Sequence, residues 1–376
     1  MACLRPFEPE PFVQTLENLE MKKSLIALAA LAATSAFAQF SIDGIMDAGY
    51  GTVKYKGTSV TGVFNNGSST SQINFRGKQD LGGGMSADFR VETDWNTVSN
   101  GGNQGNVAGS VASSFGNGEI RTGLAGGFGR VDLGAVNYTT LSATLTGQPY
   151  GTAIGSGFRT LYVNDARATS AVRSDNALKY TSPSFSGVTV SLYNAAKQTK
   201  ASGATETTFS STFGAYDMSG VREMGISYAN GPLNAVYTNL KQDNVQVGTG
   251  TTKDTVSTLG ANYTMGNIKV FLLNQTNKND AATARNNKTT TISATYTMGA
   301  TTLGVQTGGT KAVDGTKSKF TGIGADYALS KTTALYFRSE KNDNKANTVN
   351  AALTPASISG TGTNFDRQAL GLRVAF

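Results

Sequence analysis

The sequence contains no histidine, a single cysteine and a single tryptophan, and proline is scarce. Without histidine, the chain has no Ser-His triad, no His-dependent acid–base catalysis and no imidazole metal ligand. The lone Cys3 forms no internal disulfide and cannot build a cysteine-based zinc site. After residue 38, no stretch approaches the roughly 18 consecutive apolar residues of a transmembrane helix. These absences exclude several enzyme classes and argue against a helical membrane protein.

The N-terminal residues carry an export signal. Residues 21–38 combine a basic start, a short apolar run and a small-residue cleavage site at 36–38, which is typical of a secretory signal peptide. Residues 1–20 precede that signal without targeting character, and we interpret them as an upstream extension from a mis-called start codon; a genuine pro-extension is the alternative. The predicted mature chain is 39–376, and it lacks Cys3.

Segments of roughly 8 to 12 residues with period-2 alternation recur along the mature chain, separated by breaks of alternating length. The short breaks have the Gly, Asn, Pro and Ser chemistry of hairpin turns, and they lie at 79–84, 125–129, 182–187, 229–232, 264–267, 297–300 and 328–332. The long polar stretches lie near 54–69, 96–117, 137–172, 197–221, 242–254, 278–287, 311–317 and 343–364. Seven short turns and eight long loops predict 16 antiparallel strands, with both chain ends on the short-turn side.

Alternation alone fits either a soluble β-sandwich, whose apolar face packs on a core, or a membrane barrel, whose apolar face meets lipid. The signal peptide, the even strand number and the loop asymmetry favour an all-β, 16-stranded antiparallel transmembrane β-barrel. The first strand must then pair with the last, because lipid offers no hydrogen bonds to an open edge. Tyrosines near strand ends predict an interfacial girdle, and these are Tyr180, Tyr193, Tyr228, Tyr237, Tyr263, Tyr296, Tyr327 and Tyr336.

Three stretches carry a resemblance to a known family: 71–84 (SQINFRGKQDLGGG), 126–134 (GGFGRVDLG) and 173–180 (RSDNALKY). In their order and spacing, and in the terminal Phe376, they resemble the trimeric general porins of Gram-negative outer membranes, in the β-proteobacterial branch. The resemblance implies a homotrimer and a third external loop, 137–159 here, folded inward as a constriction. In the family this loop often carries carboxylates, but here no Asp or Glu lies between Val136 and Asn164.

The resemblance and the alternation together predict the pore lining. Arg76 and Arg173 match basic positions of the family, whereas Gln72 and Ala135 stand where wall arginines are expected. The remaining lining candidates, from alternation or from their place in the third loop, are Arg90, Asp43, Asp47, Arg373 and Arg159.

Arg76 and Arg173, facing a loop without acids, predict a mild anion preference. In the alternative, wall acids balance the arginines and the pore is nearly unselective; those acids are Asp43, Asp47, Glu92 and Asp132.

The predicted function is passive diffusion of small hydrophilic solutes and ions across the Gram-negative outer membrane. Predicted partners are outer-membrane lipids, lipopolysaccharide and, through a C-terminal assembly signal at Leu372, Val374 and Phe376, the barrel-assembly machinery. No cofactor, metal, nucleic acid or catalytic activity is predicted. The main alternative is a channel specific for a sugar or organic anion. Less favoured are a barrel enzyme using paired carboxylates such as Asp43 and Asp47, and an adhesin or β-solenoid, which requires a fixed repeat that the sequence does not show.

Overall fold

The computed structural model describes residues 39–55, 57–95, 97, 115–158, 161, 172–196, 216–217, 220–246, 250–280, 286–343, 348–353, 356–361 and 364–376. The strands are β1 Gln39–Tyr55, β2 Thr58–Asn65, β3 Gln72–Gly82, β4 Met85–Asp94, β5 Ile120–Gly126, β6 Gly129–Asn137, β7 Arg173–Thr181, β8 Val188–Ala195, β9 Tyr216–Asp217, β10 Val221–Asn230, β11 Leu233–Gln246, β12 Gly250–Met265, β13 Ile268–Asn279, β14 Asn287–Met298, β15 Thr301–Ala312, β16 Lys317–Ala328, β17 Thr333–Asn342, β18 Thr348–Leu353, β19 Ala356–Thr361 and β20 Phe365–Ala375. One helix, α1, spans Thr139–Thr146 between β6 and β7. Across these ranges no helix has the length and apolar character needed to cross a bilayer. The predicted signal peptide, upstream extension and Arg159 lie outside the described residues.

Eighteen of these strands belong to one sheet, and they form a closed antiparallel barrel of sixteen strands, as predicted, in which β2 and β3 are two parts of one strand and the two-residue β9 is an addition. Closure is made by β1 and β20, which pair in register from Ile45 opposite Ala375 to Tyr55 opposite Phe365. The terminal Phe376 extends this pairing, since its backbone N–H donates to Gly44 at 3.1 Å and its carbonyl accepts from the Gly44 N–H at 3.0 Å. The chain therefore ends on the strand that removes the last open edge of the sheet.

Alternate residues give the barrel two chemically distinct faces. On β1, the aromatic and aliphatic side chains of Phe40, Ile42, Met46 and Tyr50 are exposed, whereas Asp47 between them is fully buried. We call these the apolar face and the polar face. The same division holds on β20, where Leu370 is 63% and Leu372 42% exposed, so the apolar face is the lipid-facing surface of an outer-membrane barrel.

The tyrosine girdle is partly confirmed. Four tyrosines lie exposed on the apolar face, namely Tyr237, Tyr263, Tyr296 and Tyr327. For Tyr193 and Tyr336 the prediction is wrong, because both are buried on the polar face, at 3% and 1% exposure. Leu192 and Leu335, which precede these tyrosines in the chain, are exposed instead. Strand parity, rather than nearness to a strand end, therefore determines which face each tyrosine ring takes.

All seven predicted short turns connect the strands expected of them. Several predicted long loops are wrong in extent. The 54–69 loop is mostly strand, since β1 continues to Tyr55 and β2 begins at Thr58. The loops predicted at 242–254 and 311–317 are also shorter in the structure, because β12 begins at Gly250 and β16 at Lys317. Polar residues there form strands because an antiparallel ladder extends beyond the apolar band without needing apolar side chains.

The second barrel strand is interrupted. Both β2 and β3 pair with β1, β2 along its C-terminal half and β3 along its N-terminal half. Residues 66–71 leave the sheet between them, and Asn66 at the start of this bend has a positive φ of 61°. The bend at 66–71 therefore overlaps only the end of the predicted 54–69 loop.

Candidate functional site

The polar face of β3, β4 and β5 carries three arginines side by side. Arg76 lies directly opposite Arg90, and Arg90 lies directly opposite Arg121. We call these three residues the arginine row. Like charges in direct cross-strand contact repel each other, so such a row needs acids between its members.

Each member of the arginine row contacts at least one acid. Arg76 Nε donates to Asp43 at 2.5 Å. Arg90 contacts two carboxylates, Glu92 at 2.5 Å and Glu119 at 2.7 Å. These contacts place two of the acids named in the unselective alternative, Asp43 and Glu92, beside arginines of the barrel wall.

Arg121 and Arg130 share a second pair of acids. Arg121 contacts Asp88 at 2.5 Å and Asp132 at 3.0 Å. Arg130 contacts Asp88 at 2.7 Å and Asp132 at 2.6 Å. Because each carboxylate serves two guanidiniums, β4, β5 and β6 are joined by one connected network of charges.

The arginines of this network are more exposed than its acids. The Arg130 side chain is 27% exposed, against 13% for Asp88 and 8% for Asp132. Arg90 is 15% exposed, against 8% for Glu92 and 9% for Glu119. In these pairs the long guanidinium side chains cover the shorter carboxylates and present a basic surface, whereas Asp43 and Asp94 are more exposed than their partners Arg76 and Arg173.

The other predicted lining residues have separate surroundings. Arg173 donates to the Asn137 side chain at 3.0 Å and to the Asn117 carbonyl at 3.1 Å, with Asp94 3.7 Å away. Gln72 starts β3 opposite Ile45, and it is half-buried. The acids nearest Arg76 and Arg173 therefore come from the barrel strands, and the described part of the 137–158 segment contributes none.

Asp47 is the centre of a polar cluster that fixes the 66–71 bend. Its fully buried carboxylate accepts hydrogen bonds from the backbone N–H groups of Gly67 at 3.2 Å, Ser68 at 2.8 Å and Ser69 at 2.6 Å. The Tyr336 hydroxyl donates to the same carboxylate at 2.7 Å. Asp47, predicted as a pore-lining residue, is thus a buried organiser of the adjacent bend.

The N-terminus of α1 is held by a carboxylate from another strand. Glu223 on β10 accepts from the backbone N–H groups of Thr139 and Thr140, both at 2.6 Å. The helix itself has no side-chain N-cap and no acid in its first turn. Glu223 therefore satisfies two otherwise unpaired N–H donors and places negative charge at the positive end of the helix dipole.

Beyond its N-terminus, the 137–158 segment is bonded to successive strands along the polar face. The Asn262 side chain on β12 donates to the Thr146 carbonyl at 2.8 Å, and Gln306 on β15 donates to the Ser156 carbonyl at 2.9 Å. Glu340 on β17 accepts from the Gly155 N–H at 2.8 Å. The segment is thereby fixed to strands that are far apart in the sequence.

The middle of this segment meets a buried cation. The Arg338 guanidinium lies 5.0 Å from the ring centroid of Tyr150 and 2.8 Å from Asp326. Burial raises the pKa of Tyr150 to about 12, so its hydroxyl is neutral at physiological pH. The segment therefore adds no negative charge at this point.

Sequence reasoning missed several of these residues, including Glu223, Arg121, Arg130, Arg338 and Glu340. Strand parity could have placed Arg338 and Glu340 on the polar face, because they alternate with the apolar Leu335 and Phe337. The partner of Glu223 lies 84 residues away in the chain, and no local pattern indicates a contact at that separation.

Close contact between α1 and β12 requires a glycine. A Cβ on Gly260 would overlap the Ala143 carbonyl oxygen in α1. We expect Gly260→Ala to displace α1 and to cost about 1–3 kcal/mol of stability, the usual range for overpacking. Gly127→Ala is the matched control, since a Cβ at Gly127 meets open space. Thermal unfolding followed by circular dichroism measures both, and equal midpoints for the two variants would contradict this packing.

Comparison with known proteins identifies the family. Residues 24–347 match the Gram-negative porin family. Outer membrane porin protein 32 of Delftia acidovorans is 32% identical over 339 residues, which cover 84% of this chain and 88% of that protein. The major outer membrane protein P.IB of Neisseria lactamica is 30% identical over 340 residues, covering 84% and 91% of the two chains.

Solved structures agree with this assignment. The anion-selective porin from Comamonas acidovorans superposes with a TM-score of 0.73 at 25% identity, covering 90% of this chain and 100% of that one. OmpT of Vibrio cholerae, solved in a trimer form, shares the fold with a TM-score of 0.59 at 13% identity, covering 90% and 99%. The chain therefore belongs to the Gram-negative porin family and forms an outer-membrane channel for passive diffusion of small hydrophilic solutes and ions.

Proposed function

We propose that this channel has a mild preference for anions and that the 137–158 segment narrows its lumen. The proposed anion preference rests on the network of β4, β5 and β6, in which the guanidiniums are more exposed than the carboxylates. A permeating ion meets the outermost charges first, and rings of charged side chains set ion preference in pores. The preference is mild because a carboxylate lies within 4 Å of each of these arginines.

Two properties of the 137–158 segment support its role as the constriction. Its backbone is bonded to Glu223 on β10 and to Glu340 on β17, and these bonds support a path along the inner face of the barrel, where the segment takes up space in the lumen. It contains no Asp or Glu, so it does not oppose the basic wall with negative charge. The relative from Comamonas acidovorans is named as anion-selective, which agrees with this proposal.

A matched pair of variants at one site tests the anion preference. Arg130→Gln removes the most exposed guanidinium of the network, and Asp88→Asn removes an acid that pairs with it. In planar bilayers under a salt gradient, we expect the reversal potential to shift toward cation selectivity in the first variant and toward stronger anion selectivity in the second. A cation-selective wild type, or shifts of the same sign in both variants, would overturn the proposal.

We also infer that the channel is a homotrimer. Phe40, Phe75 and Phe115 form an aromatic group on β1, β3 and the segment before β5, with ring centroids 6.4 Å and 5.7 Å apart. OmpT of Vibrio cholerae, which shares the fold, is solved in a trimer form, and we place the contact between copies at this aromatic group, where Phe115 is 73% and Phe40 60% exposed. Native mass spectrometry of the purified protein tests this inference, and a monomeric mass would contradict it.

The C-terminal strand supports a further partner, the barrel-assembly machinery. Leu372, Val374 and Phe376 lie at the C-terminal end of β20, where an assembly factor would meet the strand before it pairs with β1.

We attribute no catalytic role to the channel, and hydrolysis assays on the purified protein test that view. Saturation of conductance by one class of solute would instead favour a channel specific for a sugar or an organic anion.

A further inference from the structure

Glu119, the residue directly before β5, carries a buried carboxylate whose two oxygens bind different parts of the channel. Its Oε2 accepts a hydrogen bond from Arg90 at 2.7 Å and lies 3.8 Å from Arg121 Nε. Its Oε1 accepts from the backbone N–H of Asn137 at 3.0 Å. Because β6 ends at Asn137, this one side chain contacts both the arginine row and the residue at which the 137–158 segment begins.

Three polar groups of Asn137 bind charged side chains of the barrel wall. Besides the N–H that donates to Glu119, its backbone carbonyl accepts from Lys179 Nζ at 3.0 Å. Its side-chain oxygen accepts from Arg173, also at 3.0 Å. Hydrogen bonds to ionised groups are roughly twice as strong as those between neutral groups. The position at which the 137–158 segment begins therefore depends on the charges of the wall.

Glu92 on β4 is the natural comparison for Glu119. The two acids are equally buried, at 6% and 7% exposure, and both contact the Arg90 guanidinium. They lie side by side, since the Glu92 N–H donates to the Glu119 carbonyl at 3.0 Å. Within the described ranges, however, the carboxylate of Glu92 makes no hydrogen bond to the 137–158 segment. Of the two, only Glu119 joins the arginine row to that segment.

We propose that Glu119 is a positioning residue that couples the ion preference of the channel to the position of its constriction, an inference that rests on the function proposed for the channel. Through Oε2 it offsets part of the positive charge of Arg90 and Arg121, which limits the anion preference. Through Oε1 it holds Asn137 against the wall. A carboxylate suits both tasks because both of its oxygens are acceptors, whereas glutamine has one acceptor oxygen and an NH2 group that would face a donor.

Glu119→Gln and Glu92→Gln form a matched pair that tests the coupling in the purified full channel. Each keeps the shape of the side chain and removes one negative charge beside Arg90, so we expect both to shift the reversal potential in planar bilayers toward anion selectivity. Only Glu119→Gln weakens a bond to the 137–158 segment. The backbone amides of 138–140 keep their own acceptors in both variants. We expect these amides to exchange hydrogen roughly 10-fold faster in Glu119→Gln and within about twofold of wild type in Glu92→Gln.

Lys179→Met changes the same contact residue with the opposite charge. It removes the bond to the Asn137 carbonyl together with one positive charge. We therefore expect the amides of 138–140 to exchange faster, as in Glu119→Gln, while the reversal potential shifts toward cation selectivity. Shifts of the same sign in Lys179→Met and Glu119→Gln would overturn the proposal, because loosening of the segment alone would then account for both.

Failure of the coupling can be distinguished from failure of the anion preference. Equal exchange at 138–140 in Glu119→Gln and Glu92→Gln would overturn the coupling. A reversal potential that shifts in Glu92→Gln but stays at the wild-type value in Glu119→Gln would also overturn it. In both cases the anion preference, tested separately by Arg130→Gln, would stand. A cation-selective wild-type channel would overturn the anion preference and, with it, the role of Glu119 in limiting that preference.

Discussion

Replacing Glu223 with alanine is expected to release α1 from the barrel wall and to enlarge the channel. The change leaves the Thr139 and Thr140 N–H groups without an acceptor, and each unpaired buried donor costs about 1–3 kcal/mol. The free energy of detaching the segment locally should therefore fall by about 2–5 kcal/mol. Single-channel recordings should show a higher and more variable conductance, and backbone amides of α1 should exchange hydrogen faster.

Glu223→Gln separates the hydrogen bonds from the charge. The glutamine keeps one carbonyl oxygen as an acceptor, so we expect an intermediate gain in conductance. Ser191→Ala is a second control, since it removes only the 2.8 Å side-chain contact with Thr139. If Glu223→Ala had the conductance and exchange rates of wild type, the 137–158 segment would not be the element that limits the channel.

Asp47→Ala is expected to cause the largest loss of barrel stability among single substitutions on β1. Three backbone N–H groups and the Tyr336 hydroxyl depend on this buried carboxylate. With four donors affected, the free energy of unfolding should fall by about 3–6 kcal/mol. Loss of the bend also affects the 137–158 segment, because the Ile154 N–H donates to the Gly67 carbonyl at 3.3 Å. Denaturant unfolding monitored by circular dichroism measures the change.

Tyr336→Phe is the graded control for Asp47. It removes one of the four donors and leaves the backbone hydrogen bonds intact, so its cost should be about 1 kcal/mol. Asp47→Asn should lie between the two, since its amide group presents a donor to groups that are themselves donors. Equal unfolding midpoints for Asp47→Ala and Tyr336→Phe would show that the carboxylate does not organise the bend.

The barrel itself was predictable because local patterns determine it. Period-2 alternation identifies strands, turn residues such as Gly83 and Gly84 separate them, and the C-terminal alternation of Leu370, Leu372 and Val374 indicates the closing strand. The extent of the loops was not predictable in the same way. The 58–65 stretch is polar enough to suggest a loop, yet it pairs with β1 along its whole length.

The lining of the channel was predictable only in part. Alternation places Arg76 and Arg90 on the polar face, but the acids beside them arise from pairing between strands. Glu119, for example, reaches Arg90 only because β5 lies beside β4. The bonds of Glu223 and Glu340 to the 137–158 segment depend on the closed shape of the barrel, which no sequence period encodes.

The conductance of single wild-type channels in planar bilayers, recorded across a series of salt concentrations, tests the central claim most directly. A water-filled diffusion channel predicts an ohmic conductance that rises with salt without saturating, together with a small reversal potential of anion-selective sign. A conductance that saturates with salt would contradict general diffusion through the channel. A reversal potential of cation-selective sign would contradict a basic lining of the lumen.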